Sequence, residues 1–142
     1  MSKTLEFLGE LQHDDSVFGL ALLGDLLVSG GWDKKVKWWS VRELTCTATL
    51  TEHTDWVFSV DVNEEVIVSG SRDNTARIWP RDGTTSRRTL QHPAVVWAVS
   101  LAGDVLATGC GDGVVRMFTV SSGKKTRELR GHVNGVYTVA LC

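Results

Sequence analysis

Short apolar runs alternate with polar turns along the chain, and residues 53–91 show this most clearly. Residues 57–62 begin this stretch as a strand, and residues 66–70 form a β-branched run typical of a buried strand. Residues 75–79 alternate as a third strand, and residues 86–90 form a more polar fourth strand whose charge suits an outer edge. Helical periodicity is absent from the sequence, so the pattern predicts four antiparallel strands.

The same pattern recurs at intervals of 39 or 40 residues, which are marked by His13, His53, His92 and His132. After each of the first three histidines, a Ser or Thr follows at 16 positions, an Asp at 20 and an aromatic residue at 26. A repeat of this length is a unit that buries its apolar face only against a neighbouring unit. We therefore expect a single domain over residues 1–142, with repeats at 13–52, 53–91 and 92–131.

These repeats resemble the WD40-repeat family. The resemblance rests on the stretch SGSRDNTARIW at residues 69–79 and on Gly131-His132, which is similar to the family's Gly-His pair. It covers nearly the whole chain and implies an all-β fold, a WD40-type β-propeller segment of about three and a half four-stranded antiparallel blades. It further implies a scaffold that binds other proteins or peptides and is not an enzyme.

The resemblance also implies hydrogen-bonded tetrads that run from Trp through Ser or Thr and His to Asp. The first two tetrads would be Trp39–Ser29–His13–Asp33 and Trp79–Ser69–His53–Asp73. The third repeat would keep only Thr108, His92 and Asp112, because Phe118 replaces the Trp and lacks the indole donor. The third blade should therefore be the softest of the three, since a buried hydrogen bond typically contributes about 1 kcal/mol.

Recurring Ser, His and Asp also suggest a hydrolase triad, which we keep as a distant alternative. Three equivalent sets on three repeats favour a structural role, because a triad needs one activated nucleophile beside a cleft with an oxyanion hole. The histidines lie on different repeats without the spacing of metal ligands, so we expect no metal and no cofactor. The glycine-rich stretch at 109–113 is interpreted as a tight turn and not as a phosphate loop, because no helix follows it.

The net charge, the lengths of the apolar runs and the cysteines limit which partners and which cellular compartment are expected. The chain has 142 residues, a formal net charge of −2 and three cysteines without metal spacing. This charge offers no global attraction to nucleic acid or to an acidic membrane surface, so neither is expected as a partner. No apolar run approaches the length of a membrane span. Reduced cysteines favour the cytoplasm, the nucleus or both.

Candidate partner-binding residues are Trp32, Trp56 and Arg72, which the resemblance places on the face where WD40 partners usually dock. Their residue types are enriched in interface hot spots. The alternative is that one of the two tryptophans packs across a blade boundary. Inter-blade packing is also expected for the aromatic residues that share the second position of each first strand, Phe18, Phe58, Trp97 and Tyr137.

A second functional alternative is a substrate receptor of a ubiquitin-ligase-like complex that binds phosphorylated peptides. The short turn at residues 63–65 is similar to the compact repeats of F-box/WD substrate receptors. Such receptors use several arginines on this face, whereas here only Arg72 stands at a suitable turn. One arginine would hold a phosphate weakly, because strong sites use clustered donors.

Two short runs lie outside the repeats. Residues 4–8 predict a lone N-terminal strand, the outer strand of a preceding blade, and residues 136–141 predict a lone C-terminal strand, the inner strand of a following blade. A propeller closes with about four to eight blades, so this segment leaves two blade faces open as apolar patches. Either the chain is part of a longer protein or copies assemble, and we favour a homodimer.

Overall fold

The computed structural model describes residues 9–142, which form twelve β-strands in three four-stranded antiparallel sheets. Strands β1 to β4 are Val17–Leu23, Leu26–Gly31, Val36–Ser40 and Thr45–Leu50. Strands β5 to β8 are Val57–Val62, Val66–Ser71, Thr75–Pro80 and Arg88–Gln91. Strands β9 to β12 are Val96–Ala102, Val105–Cys110, Val115–Thr119 and Lys125–Leu129. Each sheet is one blade, numbered in chain order, and the all-β fold expected from the sequence is confirmed.

Each blade is a meander, because its strands follow one another in space in chain order. The turn between the second and third strands carries a residue in the left-handed region in every blade, with φ of 67° at Lys34, 67° at Asn74 and 80° at Gly113. No helix in the part of the chain described is long and apolar enough to cross a membrane.

Neighbouring blades meet along their first strands, where β1 contacts β5 and β5 contacts β9. A glycine in the second strand of one blade receives a valine from the first strand of the next. A Cβ placed on Gly30 would lie 2.5 Å from Val57 Cγ1, and one placed on Gly70 would lie 2.8 Å from Val96 Cγ1. The apolar core therefore lies mainly between blades, in one cluster for each junction.

Residues 136–141 do not form the expected C-terminal strand. A strand requires a hydrogen-bonded neighbour in its own sheet, and this segment has none among residues 9–142. It nevertheless occupies the place of a first strand against blade three, since a Cβ on Gly109 would lie 3.0 Å from Val136 Cγ1. The backbone N–H of Val136 donates to Cys110 O, and that of Leu141 donates to Ser100 Oγ. The expected N-terminal strand at 4–8 lies outside the described residues.

Candidate functional site

The second blade contains a continuous chain of side-chain hydrogen bonds. The indole Nε1–H of Trp79 donates to Ser69 Oγ at 2.9 Å, and the Ser69 hydroxyl donates to His53 Nε2 at 2.7 Å. The Nδ1–H of His53 then donates to Asp73 at 2.7 Å. Burial raises the pKa of Asp73, but hydrogen bonds from His53 and Thr75 outweigh burial and hold that pKa far below its ordinary value.

The first blade has the same arrangement. Trp39 Nε1–H donates to Ser29 Oγ at 2.7 Å, and the Ser29 hydroxyl donates to His13 Nε2 at 2.5 Å. His13 Nδ1–H donates to Asp33 at 2.9 Å. Asp33 also accepts the backbone N–H of Lys35, so the turn between β2 and β3 fixes the carboxylate.

The third blade departs further from this arrangement than its Phe118 alone predicts. Thr108 donates to His92 Nε2 at 2.8 Å, but His92 Nδ1–H donates to the backbone carbonyl of Leu90 and not to Asp112. The expected link between His92 and Asp112 is therefore wrong. Asp112 instead accepts two hydrogen bonds from the Arg116 guanidinium, which lowers the pKa of its carboxyl. The bidentate ion pair competes better for the carboxylate than a neutral imidazole does.

The geometry of these sets gives little support to hydrolase chemistry. Ser69 is fully buried and Ser29 is almost so, and each hydroxyl oxygen already accepts an indole N–H. A nucleophile must reach a substrate beside a cleft. Within residues 9–142 no cluster of three or more His, Cys, Asp or Glu side chains has the geometry of a metal site.

The three candidate binding residues come together at the junction of blades one and two. Trp32, in the turn between β2 and β3, stacks on Trp56, which precedes β5, with ring centroids 4.3 Å apart and an interplanar angle of 15°. The guanidinium carbon of Arg72 lies 4.6 Å from the Trp56 ring centroid. Both tryptophans thus cross the blade boundary and remain partly exposed, and the Arg72 side chain is 49% exposed.

Further aromatic rings extend this surface in both directions. Phe18 stacks on Trp32 at 5.2 Å, and Phe58 contacts both Trp56 and Trp97. The ring of Tyr137 lies 5.3 Å from that of Trp97, and it is 66% exposed. We call these seven residues the aromatic rim: Phe18, Trp32, Trp56, Phe58, Arg72, Trp97 and Tyr137. The sequence indicated inter-blade packing for four of them, and the structure joins those four to the binding candidates in one row.

Comparison of equivalent positions in the three repeats shows whether the fold itself requires a tryptophan at positions 32 and 56. The place of Trp56 is taken by Ser16 in blade one and by Val95 in blade three. The place of Trp32 is taken by Arg72 and Gly111 in the other blades. The Trp32 indole N–H is also buried without an acceptor among the described residues, which costs stability. The repeat therefore does not require a tryptophan at either position.

Comparison with known proteins agrees with this architecture. The family model described as WD domain, G-beta repeat matches residues 5–40, 44–80 and 84–119. In solved structures, the fold is similar to that of the computationally designed Ika4 protein, with a TM-score of 0.87 and 22% identity over 95% of this chain and 86% of that chain. The designed Ika8 protein gives a TM-score of 0.82 over 89% of this chain and 40% of that chain.

Curated relatives include WD repeat proteins and a transport protein. WD repeat-containing protein pop2 of Schizosaccharomyces pombe is 27% identical over 89% of this chain and 23% of its own length. DENN domain and WD repeat-containing protein SCD1 of Arabidopsis thaliana is 28% identical over 96% of this chain and 12% of its own length. Protein transport protein SEC13 of Pyricularia oryzae is 36% identical over 64% of this chain and 38% of its own length.

The chain thus spans less than two fifths of the length of each of these relatives. The family model, in contrast, covers most of the chain in three segments that each end at the third strand of a blade. The repeats, the tetrads of blades one and two and the propeller-like stacking of blades agree with that match. The chain belongs to the WD40-repeat family, whose fold generally serves as a non-catalytic scaffold for protein–protein interactions.

Proposed function

We propose that this chain is a non-catalytic scaffold that binds other proteins or peptides through the aromatic rim, with Trp32, Trp56 and Arg72 as its central residues. The observation that carries the proposal is the difference between repeats. Two tryptophans stand at turn positions where other blades use Ser, Val, Arg or Gly, and they keep part of their surface in solvent. Trp and Arg are the residue types that contribute most to binding at interfaces.

A pull-down with purified protein tests this proposal. The wild type is compared with a variant carrying Trp56→Ala and Arg72→Ala, and we expect the variant to lose the partners that the wild type recovers. Leu129→Ala is the control, because Leu129 is 51% exposed on β12, away from the rim. Unchanged thermal melts would show that the double variant is folded, and recovery of the same partners by all three proteins would exclude the rim as the site.

The substrate-receptor alternative has less support from the site. Arg72 Nε lies 3.9 Å from the Asp55 carboxylate, so the charge of Arg72 is partly compensated. A doubly charged phosphate bound to Arg72 would be repelled by this carboxylate. Treatment of the partner with phosphatase distinguishes the alternatives. A partner that binds only when phosphorylated would favour the receptor function over the general scaffold.

The hydrolase alternative is tested by a substrate screen with the wild type and Ser69→Ala. We expect no turnover by either protein, because Ser69 is fully buried and hydrogen-bonded on both sides. Turnover by the wild type that disappears in the variant would overturn the scaffold proposal.

We also propose that two copies of the chain associate through the open side of blade one. Leu20 is 64% exposed, whereas its equivalents Val60 and Val99 are 6% and 5% exposed, because each packs against the preceding blade. Val17 is likewise 43% exposed, whereas its equivalent Val57 is completely buried. A soluble protein rarely leaves such a patch uncovered, and a second copy offers the same type of apolar blade surface.

Size-exclusion chromatography coupled to light scattering tests the self-association. We expect a stable dimer of the purified chain. A monodisperse monomer of 15.6 kDa at micromolar concentration would contradict the proposal and would favour a further blade of a longer protein as the cover of this face.

A further inference from the structure

The centre of the aromatic rim is a column of stacked planar groups. Phe18 stacks on Trp32 at an interplanar angle of 20°, and Trp32 stacks on Trp56 at 15°. The guanidinium of Arg72 lies over the Trp56 ring, with its carbon 4.6 Å from the ring centroid. The column therefore begins on blade one, crosses to blade two and ends in a positively charged group.

The Arg72 guanidinium has N–H donors without an acceptor at hydrogen-bond distance among the described residues. A guanidinium that lies over a ring uses its face there, while its N–H groups point outward in the plane and form a fork that fits a carboxylate. The nearest carboxylate, that of Asp55, lies 3.9 Å from Nε, which is too long for a hydrogen bond. Three of the other arginines in blades two and three, in contrast, bond directly to carboxylates: Arg77 to Glu52, Arg81 to Glu64 and Arg116 to Asp112.

We propose that the Arg72 end of this column binds a carboxylate of the partner, supplied by an Asp, a Glu or a chain terminus that stands next to an apolar residue. The carboxylate would pair with the guanidinium fork, and the apolar neighbour would lie on the exposed rings of the rim. This inference rests on the proposed function of the rim and names the chemistry of its ligand.

A carboxylate fits the site better than a phosphate. A single guanidinium fork matches the two oxygens of one carboxylate, whereas tight phosphate sites combine several donors. Asp55 also stands beside Arg72, and a dianion would be repelled by it more strongly than a monoanion. The Trp56 ring holds the guanidinium in place before binding, so less side-chain entropy is lost when the ion pair forms.

A pair of matched peptides tests the proposal. The acetylated, amidated peptide Ala-Leu-Glu-Leu-Ala and its Gln counterpart are titrated into the full chain, and binding is followed by the NMR signals of the Trp56 indole N–H and the Arg72 Nε–H. We expect the Glu peptide to bind about fivefold more tightly than the Gln peptide at low salt, with a smaller ratio at high salt.

Substitutions of Arg72 test whether its guanidinium causes the preference for the Glu peptide over the Gln peptide. Arg72→Gln should bring the two affinities together while the Gln peptide keeps its own affinity. Arg72→Lys should restore only part of the ratio, because an ammonium is a point charge and lacks the planar fork. Arg87→Gln removes a charge from an exposed position on the loop before β8, away from the rim, and should leave the ratio unchanged.

Three results would overturn the carboxylate site. These are equal affinities of the two peptides for the wild type, no change in either rim signal with both peptides, and much tighter binding of a phosphoserine counterpart than of the Glu peptide. The last result would assign the site to phosphate. If Trp56→Ala abolishes binding of the protein partner but the wild type shows no preference for the Glu peptide, the proposed function stands and only the carboxylate site is rejected.

Discussion

At the scale of single residues, one hydroxyl group organises each complete tetrad. Ser69 accepts the indole N–H of Trp79 and donates to His53, so both roles of the hydroxyl are used in a fully buried place. A buried polar group costs stability when it loses its partner, because no water can replace the bond. The indole and the hydroxyl therefore depend on each other.

We expect Trp79→Phe to lower the free energy of unfolding by about 1–3 kcal/mol, because it removes the indole donor but keeps much of the apolar ring. Chemical denaturation measures the change. The reciprocal substitution Phe118→Trp should raise stability, since Thr108 would gain a donor equivalent to that of Trp79. Unchanged stability in both variants would contradict the role assigned to the indole.

Stability at mildly acidic pH should depend on His92. Burial lowers the pKa of this imidazole below its ordinary value of 6.5, and the charge of Arg116 acts in the same direction. The unfolded chain therefore binds the proton more readily than the folded chain, and stability should fall as the pH drops below about 6.5. Thermal melts at pH about 7.5 and about 5.5 should show a smaller decrease for His92→Gln than for the wild type. Equal decreases would assign the effect to other groups.

At the scale of elements, the predicted strands of repeat two agree closely with β5, β6 and β7, because alternation and β-branched runs are local signals. The sequence predicts the fourth strand at 86–90, whereas the strand begins at Arg88. Ser86 is held outside the strand by the carboxylate of Glu52, a residue 34 positions earlier. A contact of that kind depends on how blades meet, so local sequence patterns do not contain it.

The same limit applies to the binding candidates. Residue types and turn positions were enough to single out Trp32, Trp56 and Arg72. The stacking of Trp32 on Trp56 arises from the rotation between two blades, and no spacing within one repeat predicts it. The exchange of partners at Asp112, in contrast, arises within one blade, from Arg116 on the strand that follows the turn. Lys37 and Arg77 stand four positions after the Asp of blades one and two, where the His–Asp link is kept, so a charge at this position does not by itself predict the exchange.

We expect Gly70→Ala to lower the free energy of unfolding by about 1–3 kcal/mol, because the new Cβ would lie 2.8 Å from Val96 Cγ1 and 3.2 Å from Val96 O. The backbone oxygen cannot move away without shifting β9. Gly111→Ala is the matched control, since its nearest neighbours lie at 3.4 Å, an ordinary contact. Equal stabilities of the two variants would show that the junction between blades two and three is loosely packed.

At the scale of the whole molecule, the open side of blade one departs from a closed fold, because apolar side chains that are buried in the other blades are exposed there. We expect the double variant Leu20→Glu and Leu22→Glu to shift the chain from dimer to monomer, because both side chains are more than 60% exposed and burial of two carboxylates would be costly. Light scattering gives the mass. Lys124→Glu, at an exposed position in the turn before β12, should leave the dimer intact, and a dimer that survives the double variant would place the interface elsewhere.

The glycines that receive a valine at each blade junction have a consequence for how such chains change in length. Gly30, Gly70 and Gly109 each receive a valine of the following unit, so every junction uses the same joint. A duplicated or deleted unit would therefore find a fitting neighbour on both sides without new side chains. This contact determines that two units can be neighbours but does not limit how many units the chain has. Gene duplication can therefore change the number of blades in one step, whereas rim residues such as Trp56 must then diverge one at a time.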